Sequence, residues 1–172
     1  MGGSRKARGR GLSGGRSDYP LESLGMKVTM MLADSAQAVG GKLYILGGGW
    51  SLTGPQPCPS AIAVLISVPW NETNRKHGVK VELVDEDYRP ILLPTQQGEA
   101  PLVIQGDFEV GRPPGIMPGS SIEIPFAFNI PPLPLPPGKR FVWKLSIDSK
   151  GHDDWQAIFA TRPAGQPNPP VS

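Results

Sequence analysis

The side chains able to carry acid–base or metal chemistry are few: His77, His152, the single Cys58, and two short runs of acids. His77 lies in "NRKHGVKV", at the entrance of an apolar run, and His152 lies in the turn-like "KGHDD" beside Asp153 and Asp154. His152, Asp153 and Asp154 could join a distant carboxylate around a metal, but adjacent residues rarely converge well on one ion. Asp85, Glu86 and Asp87 form an acidic loop of the kind that holds calcium. Calcium takes about six to eight oxygens, and the loop supplies three acids before Tyr88 and Pro90. The plainer reading is that each histidine is solvated or hydrogen-bonded and that the acids line a hairpin turn. No cofactor or metal is therefore expected. The residues a metal-dependent enzyme would use are His77, His152, Asp153, Asp85 and Asp87.

"GKLYILGGGW" raises a second chemistry, phosphate binding by a glycine-rich loop. A dinucleotide loop needs G-x-G-x-x-G after a strand and before a helix whose N-terminus meets the phosphates. Here Gly47, Gly48 and Gly49 are consecutive, and the following "WSLTGPQPCP" carries prolines at 55, 57 and 59 that bar a helix. "GGKL" also lacks the spacing and the hydroxyl of a Walker loop. The glycines are read instead as a positive-φ turn or bulge at a strand end, with Trp50 capping the core or lying on the surface. Nucleophilic catalysis finds no G-x-S-x-G motif.

Aromatics at strand ends and in loops suggest binding rather than catalysis. Trp50, Trp70, Tyr88 and Trp155 fall at such places, whereas Trp143 alternates with core positions. Carbohydrate and peptide binders use rim aromatics, and tryptophans also cover the open ends of small β domains. "NIPPLPLPPGK" could adopt polyproline II and meet an SH3- or WW-like groove. A stiff crossover between two sheets explains it more simply.

The elements that must position these residues read as strands. Gly and Pro supply 43 of 172 residues, a composition suited to short strands and tight turns rather than long helices. Eight strand candidates cover residues 27–34, 42–47, 61–68, 78–85, 102–110, 121–129, 139–148 and 155–161. In "VKVELVD", Val79, Val81 and Leu83 share one face. In "SIEIPFAFN", Ile122, Ile124, Phe126 and Phe128 do, and in "RFVWKLSID", Phe141, Trp143, Leu145 and Ile147 do. Such alternation predicts sheets with one face on a core. Val81, Leu83, Ile124, Phe126, Trp143 and Leu145 are the predicted common core. "DSAQAVGG" predicts one or two helical turns, with Asp34 or Ser35 as N-cap and Gly40 as C-cap.

Charge is unevenly placed. Arg5, Lys6, Arg8, Arg10 and Arg16 face only Asp18 and Glu22 in residues 1–25, whereas the rest of the chain carries 12 basic and 13 acidic side chains. The near-neutral body offers nucleic acid no basic patch. Contact with RNA is confined to an arm presenting Arg5, Arg8 and Arg10. That arm, residues 1–25, is expected to be disordered, either as a functional tail or as a non-native extension ahead of a start at Met26. The domain is expected over 26–162, with a second disordered tail over 163–172. No run approaches a membrane span, residues 1–25 hold no apolar signal core, and a lone Cys58 forms no internal disulfide. A cytoplasmic setting follows as the expectation.

"MLADSAQAVGGKLYILGGGW", "AIAVLISVPWNETNRKHGVKVELVDEDYRPI" and "LPLPPGKRFVWKLSIDSKG" together resemble a family of small uncharacterised bacterial proteins with a GKLYxLGGGW-type segment. The resemblance spans about residues 26–162 and implies no activity or catalytic residues. A looser resemblance is to immunoglobulin-like and fibronectin-like β-sandwiches. There "L-x-P-G-x-Y" marks a corner between sheets; Leu135, Pro137 and Gly138 stand near that spacing, with Phe141 in place of the tyrosine. The expected architecture is an all-β, antiparallel, two-sheet Greek-key sandwich of seven to nine strands, with a β-barrel as the alternative. The expected function is a non-catalytic binding or protein-interaction module, engaging a protein partner or itself.

Overall fold

The computed structural model describes residues 25–165. The basic arm up to residue 24, with Arg5, Arg8 and Arg10, and the tail from residue 166 lie outside the described residues. The chain runs through β1 (Lys27–Ala33), β2 (Ser35–Val39), β3 (Lys42–Leu46), β4 (Leu52–Thr53), β5 (Ser60–Val68) and a 3-10 turn (Trp70–Glu72). It continues through β6 (Lys76–Asp85), β7 (Leu92–Thr95), β8 (Gly98–Pro101), β9 (Val103–Glu109), β10 (Ile122–Ile130), β11 (Arg140–Ile147) and β12 (Lys150–Thr161). β1-β5-β10 form one sheet and β4-β12-β11-β6-β9 a second, while β2-β3 and β7-β8 are separate two-stranded hairpins. All pairings are antiparallel except β4 with β12. Neither large sheet closes on itself, so the described residues form no barrel. None of the described elements is an α-helix or an apolar helix long enough to cross a membrane.

One core joins the inner faces of the two large sheets. Ile62, Val64, Ile66 and Val68 of β5 meet Val81 and Leu83 of β6 and Trp143 and Leu145 of β11, all essentially buried. These are the positions that period-two alternation selects. Ile124 and Phe126 point to the same core but stay half-buried, against the expectation that they lie fully inside it. Phe126 meets Phe108 edge-on at 5.5 Å and stacks with Phe128 at 6.0 Å.

The segment predicted as helical, 34–40, is β2 and the turn after it. Its alanines do not serve helix propensity. Ala36 packs with Ala33, Ala61, Ala63 and Ala127 in a second small cluster, where short side chains let the β2–β3 hairpin lie close on the outer face of β5 and β10. The Asn129 side chain stitches it there, donating from Nδ2 to the Ala36 carbonyl (3.0 Å) and accepting at Oδ1 from the Ala36 N–H (3.4 Å). The glycine run ends β3 as a turn: Gly47 and Gly49 have φ of 61° and 90°. A Cβ on Gly47 would run into the Asp34 carboxylate.

The proline-rich segment 131–139 is the crossover from β10 in one sheet to β11 in the other. Its corner is held by Thr161 rather than by an aromatic hydroxyl. Thr161 Oγ1 donates to the Pro136 carbonyl (2.6 Å) and accepts from the Lys139 N–H (3.1 Å). Phe141, at the tyrosine-like position, is buried against Phe159 instead.

Candidate functional site

β6 opens at Lys76, so its core-facing parity begins with His77, two residues before Val79. His77 is fully buried, with the Phe108 ring 5.3 Å away. Its Nε2–H donates to the Glu72 carbonyl at 2.8 Å, and its Nδ1 lies 2.8 Å from Asp148 Oδ2. The carbonyl and the carboxylate are both acceptors, so each ring nitrogen of His77 faces an acceptor at hydrogen-bonding distance. A ring engaged on both sides below the surface has no nitrogen free to meet a substrate.

Asp148 is the hub. It begins the β11–β12 turn, where Asp148 and Ser149 have φ of 50° and 64°, the geometry of a tight primed hairpin turn. Its Oδ1 accepts the Gly78 N–H (2.9 Å), and its own N–H donates to the Gly78 carbonyl (2.9 Å). Arg75 reaches Asp148 at 3.7 Å and Glu72 at 3.1 Å. The hydrogen bond from His77, the Gly78 N–H, and the charges of His77 and Arg75 hold the Asp148 carboxyl below its ordinary range, against a desolvation that pushes it up.

β12 then departs from regular pairing. Gly151 faces Ser146 and Gln156 faces Lys144, so five steps along β12 match two along β11. The surplus is a bulge carrying His152, Asp153, Asp154 and Trp155, a device that re-aims side chains at the edge of a site. His152 therefore lies in a strand bulge rather than the predicted turn. It is exposed, with Nδ1 3.4 Å from Asp154 Oδ2 and its ring 6.1 Å from that of Trp155. His152 and Trp155 line a cleft of about 430 Å³ with Asn71, Arg75, Asp148 and Lys150.

The other sequence candidates are elsewhere. Asp85 and Asp87 sit at the far end of β6 from His77, roughly 25 Å of extended strand away. Asp85 Oδ1 is occupied by the N–H groups of Asp87 (2.9 Å) and Arg89 (2.8 Å), and Asp87 pairs with Arg89 at 3.2 Å. His77, His152, Asp153, Asp85 and Asp87 thus do not converge, and no group of three metal-ligating side chains occurs among the described residues. Trp50 packs edge-on against Phe159 at 5.9 Å. Trp70 lies under the Arg112 guanidinium at 4.2 Å, which also bonds Thr73 Oγ1 and the Trp70 carbonyl. Tyr88 is exposed and donates to Gln156 Oε1 at 3.2 Å. Of the four rim aromatics, only Trp155 lines this cleft.

Sequence reasoning missed Asp148 and the buried setting of His77. Carrying the alternation of "VKVELVD" one step back would have put His77 on the core face. Nothing in sequence links it to a residue 71 positions away. Missed too was a surface on the β2–β3 hairpin, where Val39, Tyr44, Ile45 and Leu46 are exposed beside Met31, Leu46 at 72%.

A model of a family of unknown function (DUF6941) matches residues 28–156, well over half of the chain, and the chain belongs to that family. No curated protein matches it.

Proposed function

We propose that this member of the family is a non-catalytic interaction module that associates with a second copy of itself through the β2–β3 hairpin. The observation that carries the reading is the character of β3. Among the described residues it pairs only with β2, leaving its outer edge without a strand partner there, and three consecutive apolar residues, Tyr44, Ile45 and Leu46, are exposed on it. Natural edge strands are commonly guarded by charge, proline or a bulge. β10 has Glu123 and Pro125 and β9 has Asp107 and Glu109, whereas β2 has no charged residue and β3 only Lys42. Antiparallel pairing of two β3 strands about a two-fold at Tyr44 sets Lys42 opposite Leu46, so no like charges meet.

The strand order favours an immunoglobulin-like Greek-key sandwich as the frame. β1, β5 and β10 take one sheet, and β6, β11 and β12 take the centre of the other, with β9 beside them. On this reading the hairpins are insertions on an immunoglobulin-like core. The free thiol of Cys58 suits a reducing bacterial cytoplasm.

Sedimentation of the full chain tests the function. The wild type is expected to show a concentration-dependent dimer. Tyr44→Asp and Leu46→Asp change exposed side chains and are expected to be monomers with an unchanged melt. A wild type that stays monomeric at every concentration removes the reading.

A further inference from the structure

We propose that the face of the five-stranded sheet around the β11–β12 turn binds a neutral saccharide. The cleft at the bulge does not stand alone. A second cleft of about 620 Å³ lies over β9, β6 and β11, and Asp148 and Gly151 line both. The two form one trough bent around the turn, each part within the roughly 300–1,000 Å³ usual for small-ligand sites.

Four carboxylates along the trough are each paired at short range. Glu82 pairs with Lys80 at 2.9 Å, Asp107 with Lys76 at 3.3 Å, Glu72 with Arg75 at 3.1 Å, and Asp148 with His77 at 2.8 Å. Lys144 stands over the Tyr88 ring at 5.4 Å. Those carboxylates are therefore already engaged and offer a cationic ligand no free countercharge. Lys144 and Lys150 have no carboxylate partner among the described residues, which is why a phosphorylated sugar is the comparison in the test below. Sugar hydroxyls, which donate and accept at once, can bond to both members of the solvent-facing pairs and to the Asp148 carboxylate. Trp155, carried into the wall by the bulge, supplies an aromatic surface for the C–H face of a pyranose. The site is also stiff, because buried His77 and the Gly78 backbone fix Asp148 before any ligand arrives.

Titration of the full chain by amide and indole NMR tests this. The titrants are methyl β-glucoside, methyl β-galactoside, methyl α-mannoside, N-acetylglucosamine and cellobiose, with glucose 6-phosphate as the charged comparison. At least one neutral sugar is expected to move the Trp155 indole and the Gly78 and Gly151 amides together, with an affinity insensitive to added salt. Trp155→Ala is expected to weaken it about tenfold, the scale of a lost aromatic contact. Gln105→Ala alters an exposed side chain lining the trough and carries the same expectation should Trp155→Ala fail to fold. Leu46→Asp, on the hairpin, is expected to bind as the wild type does, which separates this site from self-association. The proposal is overturned if no neutral sugar moves those signals, if binding survives in well-folded Trp155→Ala and Gln105→Ala alike, or if only the phosphorylated sugar binds and salt abolishes it.

Discussion

His77 Nδ1 and Asp148 Oδ2 lie 2.8 Å apart, and this contact ties the start of β6 to the turn between β11 and β12. Asp148→Ala removes the acceptor of a fully buried ring nitrogen and of the Gly78 N–H together. Leaving such a donor unpaired costs about 1–3 kcal/mol, so urea denaturation should show a loss near 2 kcal/mol. Asp148→Asn keeps a side-chain oxygen and tolerates positive φ, so it should lose less. Equal stability of Asp148→Ala and wild type would remove the structural role assigned to the pair.

The same carboxylate sets a pH dependence whose sign follows from its lowered pKa. A carboxyl group held below its unfolded value of 3.8 adds stability above that value, and the contribution disappears as pH falls through the lower folded value. The melting-temperature gap between wild type and Asp148→Asn should therefore be full at neutral pH and close in acid, as pH falls below 3.8 and through the lower folded value. A gap unchanged from neutral to acid pH would mean that its ionisation contributes nothing.

Core burial separates two aromatics that the alternation treats alike. Trp143 is 2% exposed, and Trp143→Ala should cost about 3–5 kcal/mol. Phe126 is half-buried on edge strand β10, so Phe126→Ala should cost about 2 kcal/mol, less than full core burial implies. Chemical denaturation of the two variants ranks them, and the reverse order would contradict the packing described.

The periodicity of β6 and β11 was legible because one face of each strand meets the core and the other does not. The eight predicted strands correspond to β1, β3, β5, β6, β9, β10, β11 and β12. β2 was misread because "SAQAV" holds small residues whose service is close approach to Ala61, Ala63 and Ala127, a tertiary demand with no local signature. β4 is two residues long, and the β7–β8 hairpin carries Pro94 and Pro101. The bulge escaped notice because "GHDD" has turn composition, and only the pairing with β11 reveals the surplus residues.

The glycines after β3 should differ in what they tolerate. Gly47→Ala meets both a positive φ and the Asp34 carboxylate, so its loss should exceed the ~1 kcal/mol scale of compatible backbone changes. Gly49→Ala meets positive φ in open space and should lose about 1–2 kcal/mol. Thermal melts measure both. A nucleotide panel should leave all melts unmoved, and a nucleotide that stabilises the wild type but not a folded glycine variant would restore the phosphate-loop reading.

Asn129 holds the hairpin whose exposed face forms the proposed interface. Its carboxamide supplies both a donor and an acceptor to Ala36, substituting for a neighbouring strand. Asn129→Ala removes both bonds and should free the hairpin by about 1–2 kcal/mol. Since the two large sheets share a core that Asn129 does not enter, the loss should be local rather than global. Hydrogen exchange is the suitable measurement: the amides of β2 and β3 should exchange about tenfold faster while those of β5, β6 and β11 keep their rates. Exchange must be compared in a Leu46→Asp background, where association cannot protect the edge. Uniform acceleration across all strands would show that the hairpin opens only with the whole domain. Unchanged β2 and β3 rates would show that the alanine cluster alone holds it.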